Sequence, residues 1–245
     1  MAYSRFAEIY DSLINEDIDY LTWSDFIREK CLELNIRTDD YLDLGCGTGN
    51  LSINLSRGFK RTWCVDLSEE MLIIAESKFR DKGIKAKFVN QDMRYLKLNN
   101  RFDLITCALD STNYLTEDRD LDIFFLGVAT HLKEKGLFIF DINSEYKLEK
   151  ILGDNIFTYN SDEIVYLWEN TLDNRIVEMY LTFFISEGKL YERFDEVHRE
   201  RIYSTEEIEQ ALKQNGLNIV AKVDNYTNNP VKADSERITY IVVKG

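Results

Sequence analysis

Apolar positions change their period along the chain, and those changes divide it into elements. Trp23, Phe26, Ile27, Cys31 and Leu34 recur at helical spacing, which predicts an amphipathic helix over residues 20–34. Tyr41-Leu42-Asp43-Leu44 reads as a short strand ending at Gly45, residues 50–57 as a helix, and 61–66 as a second strand. Ser68 is placed to cap the next helix, with Glu69 and Glu70 in its first turn and Gly83 as its stop. Residues 86–90 and 102–108 read as the third and fourth strands. Thr116 is placed to cap a helix with Leu121, Phe124, Phe125, Val128 and Leu132 on one side, and a Lys135-Gly136 turn leads into a fifth strand, 137–143. Strand and helix alternating at this spacing predict an α/β fold, a mainly parallel sheet with helices on both faces.

From about Asn155 the period falls to two. Val177, Met179, Leu181, Phe183 and Ile185 alternate with mostly polar neighbours, as in a half-buried antiparallel strand, and Asp173-Asn174 and Glu187-Gly188 read as hairpin turns. A meander of three or four strands is expected over 155–203. Ser204 and Glu207 then form a capping box, Ala211 and Leu212 continue that helix, and Gly216 ends it. Residues 217–225 and 236–244 are the last two strands, joined by a polar loop containing Pro230. The expected organisation is a single domain over 1–245, with 144–203 as an inserted antiparallel β lid.

Charge narrows the function classes. Acidic residues outnumber basic ones 44 to 30, for a net charge of −14. Such a field repels nucleic-acid phosphates and anionic membrane surfaces. The longest apolar run, Ile123 to Ala129, is too short to span a bilayer, and MAYSRFAEIYDS lacks the basic-then-apolar pattern of a leader. Cys31, Cys46, Cys64 and Cys107 show no metal-type or CxxC spacing and read as free thiols in a reducing, cytoplasmic setting.

The richest stretch is LDLGCGTGN, residues 42–50. Gly45, Gly47 and Gly49 lie between a strand and a helix, where the backbone turns tightly and approaches a ligand. Asp66 closes the next strand about 20 residues later, where a carboxylate accepts hydrogen bonds from ribose hydroxyls. A dinucleotide fingerprint would need glycine at position 50, which is Asn50. Asp43, just before the loop, disfavours a pyrophosphate and suits a cationic ligand. S-adenosylmethionine, with a sulfonium and an ammonium against one carboxylate, fits better than a nicotinamide dinucleotide.

From about Tyr10 to its end the sequence resembles the class I S-adenosylmethionine-dependent methyltransferases. LDLGCGTGN resembles their first motif, VDLSEEML (65–72) the second and VNQDMR (89–94) the third. FDLITCALDSTNYL (102–115) and HLKEKGLFIFDIN (131–143) resemble the fourth strand with its loop and the fifth strand. The resemblance implies a Rossmann-like methyltransferase fold with a seven-stranded sheet whose last two strands form a hairpin. It implies cofactor contacts from Asp43, Gly45, Cys46, Gly47 and Gly49, ribose contacts from Asp66, and adenine contacts from Leu67, Met71, Asp92 and Met93. Leu109 and Asp110 of the fourth loop join that set, as do Tyr10 and Trp23, for which packing of the first helix on the sheet is the competing reading of Trp23. A closer resemblance, carried by Tyr10-Asp11, Tyr20, Trp23, the late insertion and FDEVHRERIYSTEEI (194–208), is to bacterial small-molecule N-methyltransferases of the aminosugar type. In those, the N-terminal segment and the inserted sheet close over cofactor and substrate. Asn113, Tyr114 and His198 are the expected substrate contacts.

No catalytic base is marked by the sequence. His198 is a candidate base or substrate contact against a solvated strand histidine, and His131 reads as a complement to a helix C-terminus. Asp110, Asp141 and Asn143 lie near strand ends but lack a full metal-ligand set, so no metal is expected. Asp110-Ser111-Thr112-Asn113 replaces the Asn/Asp-Pro-Pro-aromatic loop of enzymes that methylate nucleic-acid bases. The expected function is methyl transfer to a small molecule at an amine nitrogen, by a monomer or homodimer. The alternatives are a non-catalytic adenosylmethionine-binding regulator and a methyltransferase acting on tRNA or protein.

Overall fold

Tyr41, Leu42 and Leu44 are each 0% exposed, so neighbouring residues that point to opposite sides of one strand are both in a core. That is the condition of a sheet covered on two faces. The computed structural model describes residues 7, 9–11, 13–14 and 18–245; MAYSRFAEIYDS, residues 1–12, lies partly outside the described residues. In chain order the elements are α1 (Tyr20–Glu33), β1 (Asp40–Leu44), α2 (Asn50–Leu55), β2 (Arg61–Asp66), α3 (Glu69–Asp81), β3 (Lys87–Asn90), β4 (Phe102–Cys107), α4 (Asp120–His131) and β5 (Leu132–Asn143). β6 (Ile156–Asn160), β7 (Ile164–Asp173), β8 (Ile176–Glu187), β9 (Leu190–Arg201), α5 (Thr205–Gln214), β10 (Leu217–Asp224) and β11 (Arg237–Lys244) follow.

The seven-stranded sheet has the order β10-β11-β5-β4-β1-β2-β3. β3, β2, β1, β4 and β5 pair in parallel, and β11 runs antiparallel to both β5 and β10. The fold is the Rossmann-like methyltransferase fold. Leu42, Leu44, Phe138, Phe140 and Tyr240 share one core with Phe124 and Phe125 of α4 and Ile208 and Leu212 of α5. Tyr41, Leu104, Ile139 and Ile241 face the other core with Phe26 and Ile27 of α1 and Leu51 and Leu55 of α2. The chain reverses its progress across the sheet between β1 and β4, where open α/β sheets place a crevice at the carboxyl ends of the strands.

Local caps set several helix starts. Asp19 Oδ1 accepts from Leu21 N at 3.0 Å and Thr22 N at 3.1 Å, Ser68 Oγ accepts from Met71 N at 3.2 Å, and Ser204 with Glu207 closes a capping box. Thr116 does not cap α4. That helix starts at Asp120 after a turn, and the Thr116 carbonyl instead accepts from Arg201 Nη1 at 3.2 Å. Lys135-Gly136 is not a turn ahead of a strand either: β5 already begins at Leu132, and the pair forms an irregularity within it, with Lys135 at φ +62°. His131 is a staple between helix and loop, its Nδ1 bonded to Gly127 O at 2.8 Å and its Nε2 accepting from Leu98 N at 3.2 Å.

β6 to β9 form a separate four-stranded antiparallel sheet. Its hairpin turns fall one residue later than expected. Asp173 pairs with Ile176, leaving Asn174 and Arg175 in the left-handed region, and Glu187 pairs with Leu190 around Gly188. Val177, Met179 and Leu181 pack with Leu148 and Leu152 of the segment after β5. Asn143 Nδ2 donates to Glu200 at 2.7 Å, and Asn113 Nδ2 donates to the Arg201 carbonyl at 3.0 Å, so β9 is stitched to the ends of the large sheet.

Candidate active site

A cavity of about 880 Å³ opens at the carboxyl ends of β1, β2, β3 and β4 and reaches β9 of the second sheet. Tyr10, Asp43, Gly45, Cys46, Gly47, Asp66, Leu67, Met71, Asp92, Met93, Leu109, Tyr114 and His198, all expected from the sequence, line it. Gly45 and Gly47 lie at φ +63° and +53°, the left-handed region that glycine enters without a side-chain clash. At Gly45 a Cβ would also sit 2.7 Å from Ser111 Oγ, so the loop and the turn after β4 are in direct contact.

Two carboxylates define the polar end. Asp66 accepts from Gly47 N at 2.7 Å and Ser68 N at 2.9 Å, which ties the end of β2 to the glycine loop. Asp43 is 2% exposed; it accepts from the Ser52 hydroxyl and from Thr106 Oγ1 at 2.6 Å. Burial, with the Asp66 charge adding to it, pushes the Asp43 carboxyl up to about 6, and burial also raises Asp66. Asp92 is held below the ordinary carboxylate range by Arg94, whose Nη2 donates to it at 2.6 Å and whose Nη1 reaches Asp120 at 3.0 Å.

The opposite wall comes from the turn after β4 and from β9. Tyr114 Oη lies 3.3 Å from His198 Nδ1, with the rings edge to face, and burial lowers the His198 pKa. An imidazole so placed is neutral at pH 7.

Trp23, Gly49, Asp110 and Asn113 do not line the cavity, and each has a packing reason. Trp23 stacks on Tyr226 at 4.2 Å between ring centroids, with the Arg237 guanidinium 5.5 Å from its ring. Gly49 serves helix packing: a Cβ there would lie 3.2 Å from both Ala75 Cβ and a Phe79 ring carbon of α3. Asn113, 0% exposed, donates to Asn143 O at 3.3 Å and accepts from Asn143 N at 2.9 Å. Asp110 pairs with Arg237 Nη2 at 2.8 Å, and Arg237 Nη1 pairs with Asp141. That guanidinium takes the two carboxylates the sequence had set beside Asn143 as an incomplete metal set. Asp141 also accepts from Leu109 N at 2.9 Å, Asp110 N at 2.8 Å and Tyr226 Oη at 2.7 Å, holding Leu109 and Asp110 at φ +54° and +49°.

The cavity wall also contains Tyr20, Thr48, Asn50, Gln91, Arg94, Ser111, Glu117 and Arg199, which were not among the expected contacts. Thr48 and Asn50 were within reach of sequence reasoning because they sit inside the glycine loop. Arg199 shares only its strand with His198.

A methyltransferase-domain family matches residues 42–136. A methyltransferase-family protein of Geobacillus sp. (strain WCH70) is 38% identical over 251 residues, covering 100% of each chain. The crystal structure of a S-adenosylmethionine-dependent methyltransferase from Clostridium acetobutylicum ATCC 824 is similar with a TM-score of 0.94 and 55% identity, again over 100% of each chain. The dTDP-3-amino-3,4,6-trideoxy-alpha-D-glucopyranose N,N-dimethyltransferase of Streptomyces venezuelae is 22% identical over 217 residues, 87% of this chain and 90% of its own.

Proposed function

The chain belongs to the S-adenosylmethionine-dependent methyltransferases, and from that premise we propose that its cavity delivers a methyl group to the amine nitrogen of a small molecule. The observation that carries this reading is a single cavity with an acidic end at Asp43 and Asp66 and a Tyr114–His198 wall at the other. The residues present fit the cofactor. Carboxylates that burial raises gain most from a ligand bearing an ammonium and a sulfonium. Asp66 would take the ribose hydroxyls, Gly45 and Gly47 the methionine part, and Leu67, Met71 and Met93 the adenine, with Asp92 at its amino edge.

The cofactor supplies a methyl group already activated on sulfur. The chain's part is to align an acceptor with it and exclude water. The four-stranded sheet acts as the lid, since β9 brings His198 to the cavity. A neutral amine attacks with its lone pair, and the proton carried by an ammonium acceptor before attack, or by the methylated product after it, is lost to water; neutral His198 and Tyr114 orient the acceptor nitrogen by hydrogen bonds. The net charge of −14 favours approach of a cationic or amine-bearing molecule over a nucleic acid, and the relative from Streptomyces venezuelae is named for N,N-dimethylation of an amino sugar nucleotide. We place the enzyme in the cytoplasm on its free cysteines Cys31, Cys46, Cys64 and Cys107.

Cofactor affinity should depend on pH through Asp43. Its folded pKa without ligand is about 6; below that it is protonated and neutral towards the cation. A bound cation lowers that pKa, so adenosylmethionine affinity falls as pH drops through 6 and levels off above 7. Calorimetry from pH 5 to 8 reads this directly, and in Asp43→Asn the slope should flatten.

The acceptor class is tested with labelled methyl donor offered to bulk RNA, DNA, protein and a small-metabolite extract. Label in small amines is the expected result. Label in RNA with the small molecules blank would replace the reading with its nucleic-acid alternative.

A further inference from the structure

Among the described residues, Asp11 ties the N-terminal segment to the glycine loop. Residues 9–11 are helical, and Asp11 Oδ1 accepts from Thr48 Oγ1 at 2.5 Å and Asn50 Nδ2 at 3.0 Å. Its other oxygen pairs with the Lys78 ammonium from α3, and Lys78 in turn donates to Asn50 Oδ1 at 2.7 Å. Three stretches far apart in sequence therefore meet on one carboxylate. Thr48 is 1% exposed, while the Asp11 and Lys78 side chains keep 26% and 25% exposure, so the pair is sheltered yet within reach of salt. Tyr10, the adjacent residue, lines the cavity beside Tyr20, and burial and the nearby Tyr20 raise its phenol pKa well above the usual value, keeping it uncharged.

We propose that Asp11 is a positioning residue for methyl transfer, the clip that holds residues 9–11, and with them Tyr10, at the wall of the cofactor cavity through Thr48, Asn50 and Lys78. The proposal rests on the reading that this cavity holds the cofactor. With the clip closed, Tyr10 has a fixed place in the cavity wall. With it open, the wall loses that residue and the ligand gains an exit. The clip therefore acts mainly on dissociation, where most affinity differences between related complexes arise.

Surface plasmon resonance of adenosylhomocysteine on the full chain tests this. Asp11→Ala and Lys78→Met should each speed dissociation by about tenfold, as expected for losing charge-assisted hydrogen bonds. The double variant should speed dissociation by less than the product of the two single effects, because both single changes remove the Asp11–Lys78 pair. Raising salt should speed dissociation from the wild type and leave Asp11→Ala unchanged, a response that a purely structural role would not produce. Should Asp11→Ala fail to fold, Lys78→Met and its salt response carry the test. Dissociation within twofold of wild type in the variants, while Asp66→Ala loses affinity, would overturn the clip and keep the cavity assignment. Full affinity in Asp66→Ala would overturn both.

Discussion

Arg237→Ala should lower the unfolding free energy by about 3–5 kcal/mol, the range for breaking a buried ion pair from one side. The cause is the company Arg237 keeps. Its guanidinium is bonded to Asp141, itself 0% exposed, and to Asp110, with the Trp23 ring close by. Without it Asp141 keeps three donors, from Leu109, Asp110 and Tyr226, but no counter-charge. Arg237→Lys should recover only part of the loss, because an ammonium cannot present two parallel donors to two carboxylates. Urea denaturation with an unchanged slope is the measurement. The same variant should weaken cofactor binding, since Asp141 holds Leu109 in the cavity wall. A stability change under 1 kcal/mol would mean that the network carries little of the native state.

That network also marks the limit of what the sequence made legible. Features set by neighbours in sequence were readable: the Ser68 cap, the Ser204–Glu207 box, the strand before and the helix after the glycine loop, and the alternation along β8. Their causes are periodicity and capping, which act within one turn or one strand. Features set by distant partners were not. Thr116 lost its expected capping place in a segment whose carbonyl is bonded to Arg201, 85 residues away. Trp23, for which cavity lining and helix packing were both open readings, packs on Tyr226, and Asp110 is held by Arg237, 127 residues away. Gly49 carried the right signal, a required glycine, for a different purpose, contact with Ala75 and Phe79. Asn113 shows the same limit, because nothing local distinguishes an amide that faces a substrate from one bonded to the backbone of β5 and β9.

Asp66→Ala should weaken adenosylmethionine binding by about 1.5–3 kcal/mol, roughly ten- to hundredfold, through loss of charge-assisted hydrogen bonds. Asp66 has a second duty, since it also accepts from Gly47 N and Ser68 N. Loss of affinity alone would therefore mix ribose recognition with loop order. A ligand lacking the ribose 2′-hydroxyl separates the two. The wild type should bind it more weakly than the intact ligand, and Asp66→Ala should bind both alike. The decisive measurement is calorimetric titration of adenosylhomocysteine and its 2′-deoxy form into wild type and Asp66→Ala. A clear preference for the hydroxyl in the wild type that vanishes in Asp66→Ala is the expected result; equal preference in both proteins, or unchanged affinity in Asp66→Ala, would rule out Asp66 as the ribose contact.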